Sequence, residues 1–376
     1  MSYDESASSS YKKTDQRAAI QFGSGALMGH FVTDDLRLGS CDGTKSSGQI
    51  HIKNQKFGNV EKQKTIFRGN NFEAIIGMAY PELAEAGVTP VFDEMMGQKL
   101  LKSNVFAFYF TNKNQEAAGM KSDMTFGYYD KQKFKGEITW HNVDYKYMFG
   151  VKLDDVKVGG KSLGMCEGKS GGCLITFDSG TSLMSFPTWG AQKLIENKLP
   201  TANNIVPCQS HSQFGDMALV INGKDYNLSN EEWMFPSQEL QMAQGGVSQN
   251  LNFNMGPLGP QMMAQVSSQV SNDNIDAKFE SFNIQTPAFP FNSLVQTQKV
   301  KKHTTRGAHA CASTVMAMDI SKEMFLVGDI FMRKFYTIFD RDADRVGLAE
   351  AVTTSSASLA ALNDIGLAQA KKWGIA

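Results

Sequence analysis

Residues 174–182 read Leu174-Ile175-Thr176-Phe177-Asp178-Ser179-Gly180-Thr181-Ser182. An apolar, partly β-branched run leads into an acid, and small residues and a glycine follow at once. The pattern predicts a buried strand that ends in a tight loop presenting the Asp178 carboxylate. Taken alone, an acid in such a place is most often an Asx-turn residue that bonds its own loop. The remainder of the chain decides between that reading and a chemical one.

Before Asp178, short strand signals dominate. Ala19-Ile20-Gln21-Phe22 and Leu27 to Leu38 flank the turn Gly23-Ser24-Gly25-Ala26 and predict a β-hairpin. Gln49 to Ile52, Phe72 to Gly77, Val105 to Phe110, Met124 to Tyr129 and Gly136 to Val143 follow as further strands. Helix signals are few. Thr89-Pro90 opens one, with Pro at the first helical position, and Pro187 to Leu199 is another, closed by Pro200.

Val151 to Leu153 and Val156 to Val158 begin a second set of strands. Met217 to Ile221 and Asp225 to Leu228 form a hairpin around Asn222-Gly223. From about Gln238 to Asp276, Gln, Met, Ser, Asn and Gly dominate without period, which marks a low-complexity insertion. Its methionines (Met242, Met255, Met262 and Met263) could form a binding surface, but a disordered insertion is the better reading. Strand signals return at Ala312 to Asp319, Phe325 to Gly328 and Phe335 to Phe339. The Ser/Ala-rich tail carries a weak helix signal over Leu359 to Lys372. Many short strands, frequent Gly and few helices give a mainly β protein.

The chain has 376 residues, enough for two domains or lobes. Its 37 basic and 38 acidic side chains nearly balance, which argues against nucleic acid or a membrane surface as partner. No apolar run reaches the roughly 18 residues a membrane span needs. Met1 to Ser10 is polar and carries no signal peptide. Five cysteines (Cys41, Cys166, Cys173, Cys208, Cys311) lack zinc spacing, and an odd count leaves one thiol over. The histidines are scattered without metal-ligand spacing. Lys299 to Arg306 is a basic run, read as a solvated loop before an anion site. Asn227-Leu228-Ser229 fits the N-glycosylation pattern, but its strand position argues against use.

Several stretches together resemble the pepsin-like eukaryotic aspartic proteases. Asp178 to Leu183 resembles that family's second active-site motif. Phe325-Leu326-Val327-Gly328-Asp329 through Asp340, continuing at Arg345-Val346-Gly347-Leu348-Ala349, resembles its C-terminal signature. Ile75-Ile76-Gly77-Met78-Ala79-Tyr80-Pro81 is similar to the corresponding N-lobe segment, and Gln21 to Gly25 to the flap hairpin. These motifs stand in the family's order from about Ser6 to Val352.

The resemblance implies a mainly β fold of two barrel-like lobes with few short helices and an incomplete N-lobe. Residues 1–140 would be the partial N-terminal lobe with its flap at about 17–38, 141–352 the C-terminal lobe with the 238–276 insertion, and 353–376 a tail. It implies Asp178 as catalytic carboxylate within the turn Ser179, Gly180 and Thr181, and Phe22, Gly23 and Ser24 as the flap over substrate. Cys166–Cys173 and Cys208–Cys311 would be disulfides, against the alternative of free buried thiols, with Cys41 left over. Peptide or protein substrates, no metal, no cofactor, a monomer, and a secretory, extracellular or vacuolar/lysosomal setting complete the expectation.

The family's chemistry needs two close carboxylates sharing a proton, because two such charges do not both ionise cheaply. One takes a proton from a water held between them, while the protonated one bonds the scissile carbonyl. This sequence holds a single Asp-Thr/Ser-Gly; Asp42-Gly43-Thr44 has the wrong order. The similarity begins at Ser6 to Lys13, which corresponds to the segment after the family's first active-site region. The first N-lobe strands and first aspartate are therefore expected upstream of Met1, and no acid-pH peptidase activity is expected from the chain alone. A non-cutting peptide-binding relative is the alternative, and Phe22, where the family usually has Tyr, leans that way.

Overall fold

The computed structural model of the chain describes residues 3–22, 25–39, 49–63, 74–85, 87–234, 309–320 and 323–353. Gly23, Ser24, Cys41, the 238–276 insertion, the Lys299 to Arg306 run and the tail helix over Leu359 to Lys372 lie outside them. Two compact units divide the chain. The first comprises 1–100, 186–215 and 233–325, and the second 101–185, 216–232 and 326–376. The described structure is mostly strand with a few short helices, as the sequence predicts.

In the first unit, β1 (Lys12–Phe22), β2 (Gly25–Leu38) and β3 (Ile50–Gln63) form an antiparallel three-stranded sheet. The predicted hairpin is present, with Phe22 opposite Gly25. β1 and β3 run well beyond their sequence signals. α1 spans Val91–Gly97, with Pro90 at the cap position, one residue before the predicted place. On β2, buried Asp34 accepts hydrogen bonds from Tyr3 Oη (2.6 Å), Ser8 Oγ (2.9 Å), Ser10 Oγ (2.5 Å) and the Asp35 amide (2.7 Å). Burial works to raise its pKa, but the bonds from Ser10, Tyr3, Ser8 and Asp35 outweigh burial and hold it at about 2.

The predicted strand Phe72 to Gly77 does not form where it is described. Residues 74–78 are irregular, and Ile75 and Ile76 are 48% and 42% exposed. An apolar run becomes a buried strand only where a neighbour covers it, and no described strand pairs with this one.

The chain then enters the second unit through β4 (Val105–Tyr109), α2 (Lys113–Ala117), β5 (Asp123–Phe126) and β6 (Phe134–Asn142). The two predicted valine-rich runs merge into one strand, β7 (Val151–Val158), followed by β8 (Lys161–Ser162), β9 (Cys173–Phe177) and β10 (Met184–Phe186). α3 (Thr188–Glu196) and β11 (Val206–Cys208) belong to the first unit, where the Asp319 carboxylate accepts from the Thr188 amide (2.8 Å) and hydroxyl (2.6 Å) and closes the start of α3. β12 (Met217–Ile221) and β13 (Lys224–Leu228) are the predicted hairpin; Asn222 and Gly223 both have positive φ (46° and 79°), as a tight two-residue turn requires. α4 (Asn230–Trp233), β14 (His309–Cys311), β15 (Val315–Ala317), β16 (Met324–Val327), α5 (Asp329–Lys334), β17 (Phe335–Asp340) and β18 (Arg345–Ala351) complete the order.

Two sheets build the second unit. One runs β5-β4-β17-β18-β6, and the strands of the other that lie in this unit run β13-β12-β7-β9-β16-β10, with β8 on β7. Phe106 stacks on Phe339 (4.8 Å), and Phe149 meets the same ring edge-on (4.8 Å). His141 on β6 is 1% exposed. Asn222 Nδ2 lies 3.2 Å from its Nδ1, and the Tyr226 hydroxyl 2.6 Å from its Nε2. The neutral ring satisfies both contacts, accepting at Nδ1 and donating from Nε2.

The expected disulfides are both present. Cys166–Cys173 closes a loop just before β9, and Cys208–Cys311 ties β11 to β14, with Cα separations of 5.5 and 5.9 Å.

Two predictions follow from packing and titration. Burial, with Lys224 nearby, lowers the His141 pKa from 6.5 to about 4. The unfolded chain therefore takes up a proton near pH 6.5 that the folded chain refuses until about pH 4. The neutral histidine's contribution is complete above pH 6.5 and is lost as pH falls toward 4, by up to about 3 kcal/mol. Urea midpoints across this window should fall with pH, and His141→Gln should flatten that segment of the curve. The second concerns Gly328, where a Cβ would stand 1.9 Å from the Thr181 carbonyl oxygen and 2.7 Å from that of Leu183. Gly328→Ala should cost at least about 3 kcal/mol. Gly77→Ala, where a Cβ meets nothing within 4 Å, should change stability by about 0.5 kcal/mol or less. Equal denaturant midpoints for the two variants would contradict this contrast.

Candidate active site

The site in the second unit is assembled from backbone before side chains. β9 carries Ile175, Thr176 and Phe177 into the core, and the Thr176 hydroxyl donates to the Met148 carbonyl. The strand ends at Asp178, whose amide donates to the Val327 carbonyl (2.9 Å). The chain then reverses, with the Thr181 amide donating to the Asp178 carbonyl (3.2 Å). It continues into β10, where Met184 pairs with Val327 and Ser185 with Leu326.

β16 and α5 thread beside this turn. The Gly328 amide donates to the Leu183 carbonyl (3.0 Å) and the Asp329 amide to the Thr181 carbonyl (2.8 Å). Only a glycine leaves room for the Thr181 carbonyl at that distance. The turn is thus clamped on both sides by backbone hydrogen bonds, and its geometry does not depend on flexible side chains.

The carboxylate is fixed as firmly. The Gly180 amide donates to Asp178 Oδ1 (2.9 Å), and the Thr181 hydroxyl donates to Oδ2 (2.6 Å). Each oxygen keeps further acceptor capacity. Ser179, Gly180 and Ser182 are exposed and Asp178 is half-buried, so the carboxylate meets solvent from a rigid base. The Asx-turn reading and the chemical reading describe the same atoms: the Gly180 bond is an Asx turn, and it is what orients the acid. Asp178, Ser179, Gly180 and Thr181 form this one turn.

Asp329 is a second acid beside the turn. Its carboxylate is held by Arg333 Nη2 (2.7 Å) one helical turn along α5. Burial raises its pKa, against the opposing pull of Arg333 and the Ile330 amide. Engaged with Arg333, it secures the start of α5. Sequence reasoning missed this pair, although the Asp-x-x-x-Arg spacing on a helix was a usable signal.

The predicted flap residues fall in the other unit. Phe22 is the last residue of β1, opposite Gly25. No described cluster of His, Cys, Asp and Glu could hold a metal, and no described helix is long and apolar enough to cross a membrane.

The model of the family described as "Eukaryotic aspartyl protease" matches residues 1–279 and 260–351. Cathepsin D of Bos taurus is 28% identical over 357 residues, covering 93% of this chain and 73% of the relative. Cathepsin D of Homo sapiens is 29% identical over 365 residues, covering 93% and 70%. Cathepsin E of Rattus norvegicus is 28% identical over 354 residues, covering 93% and 69%. The chain belongs to the eukaryotic aspartyl protease family, and its mainly β structure is the pepsin-like fold.

Proposed function

We propose that Asp178 is one of the two carboxylates of an aspartic endopeptidase centre. The observation that carries this reading is the clamped, half-exposed Asp178, with one fixed donor on each oxygen. In the proposed reaction the ionised member of the pair accepts a proton from the attacking water. The protonated member bonds the carbonyl of an extended peptide, and a tetrahedral intermediate forms without a covalent adduct. Ser179 and Gly180 form the rim of the turn, and Phe22, Gly23 and Ser24 would cover the substrate. The lobe division near residue 140 belongs to the same reading.

The second carboxylate does not occur as Asp-Thr/Ser-Gly within these 376 residues. A feature of the first unit supports a place for it. Leu326-Val327-Gly328 is buried and threads the Asp178 turn, whereas Ile75-Ile76-Gly77 is exposed and has open space at Gly77. We read Ile75 to Gly77 as the corresponding seat with no Asp turn on it. Two disulfides favour an oxidising compartment, consistent with a secretory or vacuolar/lysosomal setting.

The chain as it stands should cleave no peptide at acid pH. A version supplied with an Asp-Thr-Gly strand should gain cleavage, and Asp178→Asn should then lower kcat by about 10²-fold or more. Thr181→Val in that version should lower kcat more than it raises KM, because it frees one carboxylate oxygen. Cleavage by the present chain that survives Asp178→Asn would reject the assignment. The second reading, a peptide-binding relative that does not cut, is favoured by the single Asp-Ser-Gly. It predicts peptide binding without cleavage in both forms.

A further inference from the structure

Asn227-Leu228-Ser229 is the only Asn-x-Ser/Thr in the sequence. Its strand position counts against it only if the strand is internal. β13 is instead the terminal strand of its sheet, with β12 on one side and no described strand on the other. The strand ends at Leu228, so Asn227 is its penultimate residue and Ser229 lies beyond it.

Alternation then fixes which way Asn227 faces. Tyr226 and Leu228 are 2% and 0% exposed and turn into the core, while Asp225 and Asn227 are exposed on the opposite face. Across the ladder, Asn227 stands opposite Ala218, the smallest side chain on β12, and Ala218 stands opposite Lys157 on β7. Lys157 Nζ reaches back over this face to both oxygens of Asp225 (2.9 and 2.7 Å). Asn227 is therefore exposed beside a low neighbour, Ala218, and next to the surface ion pair of Lys157 with Asp225.

We propose that Asn227 is an N-glycan acceptor and that its sugar covers the open edge of β13. An N-linked glycan needs the tripeptide, an outward side chain and space above it, and all three are present at Asn227. An uncovered terminal strand is also a template for pairing with another chain. The exposed charges on this strand are engaged at the surface, Asp225 with Lys157 and Lys224 Nζ with the Thr139 hydroxyl (2.6 Å). A bulky, hydrated group on Asn227 extends the protection of this edge past the Lys224 and Asp225 charges.

Glycosylation requires entry into the secretory pathway and so rests on the setting proposed above. The test separates the two by placing a cleavable secretory signal before the full chain in a eukaryotic host. Formation of the Cys208–Cys311 disulfide reports entry and folding independently. The wild-type chain should show one endoglycosidase-sensitive mobility step. Asn227→Gln and Ser229→Ala should abolish it, and Ser229→Thr should retain it. A secreted, disulfide-bonded chain without the step, or a step that survives Asn227→Gln, overturns the acceptor assignment. By sedimentation, the glycosylated chain should stay at one size on concentration, while Asn227→Gln and the enzymatically deglycosylated chain should both associate. If both remain at the size of the glycosylated form, the edge-covering role is overturned.

Discussion

The second unit depends on two backbones approaching more closely than any side chain permits. Gly328 sits against the Thr181 and Leu183 carbonyls, and the adjacent amides of Gly328 and Asp329 bond those same oxygens. The missing Cβ allows the approach, and the two hydrogen bonds make it favourable. Their consequence is positional. Asp178 leaves a buried strand, turns within three residues and has both carboxylate oxygens bonded locally, so its orientation follows from main-chain geometry.

Acidity acts on the two units over different pH ranges. In the first, Asp34 collects three hydroxyls and an amide, which keep its carboxylate ionised down to about pH 2. In the second, His141 is buried as a neutral ring between Asn222 and Tyr226 and resists protonation until about pH 4. Asp34 is insensitive to mild acid, whereas His141 begins to oppose folding below neutrality. The chain thus carries one anchor that holds through mild acid and one that weakens from neutrality downward.

Much of this was legible in the residues. The Asp178 turn could be read because Asp, Ser, Gly and Thr in that order satisfy one another locally, and local chemistry is what a sequence displays. The β12–β13 hairpin was legible for the same reason, through Asn222-Gly223. What escaped was set by partners distant in sequence. β1 and β3 extend through Lys, Gln and Glu because each is paired along its length, not because its own residues prefer strands. Ile75-Ile76 looked like a strand, yet the described residues offer it no partner. The His141–Tyr226 bond spans 85 positions and leaves no periodic trace.

Cys208–Cys311 closes a covalent ring of 103 positions that contains the whole Gln/Met-rich segment. A cut anywhere within that ring creates new ends without releasing either part. The molecule becomes two chains held by one sulfur bridge, and every contact of β11 with β14 survives the cut. Peptide-bond continuity and structural continuity are therefore uncoupled over this stretch. A form cut once between the two cysteines would migrate as one species until reduced.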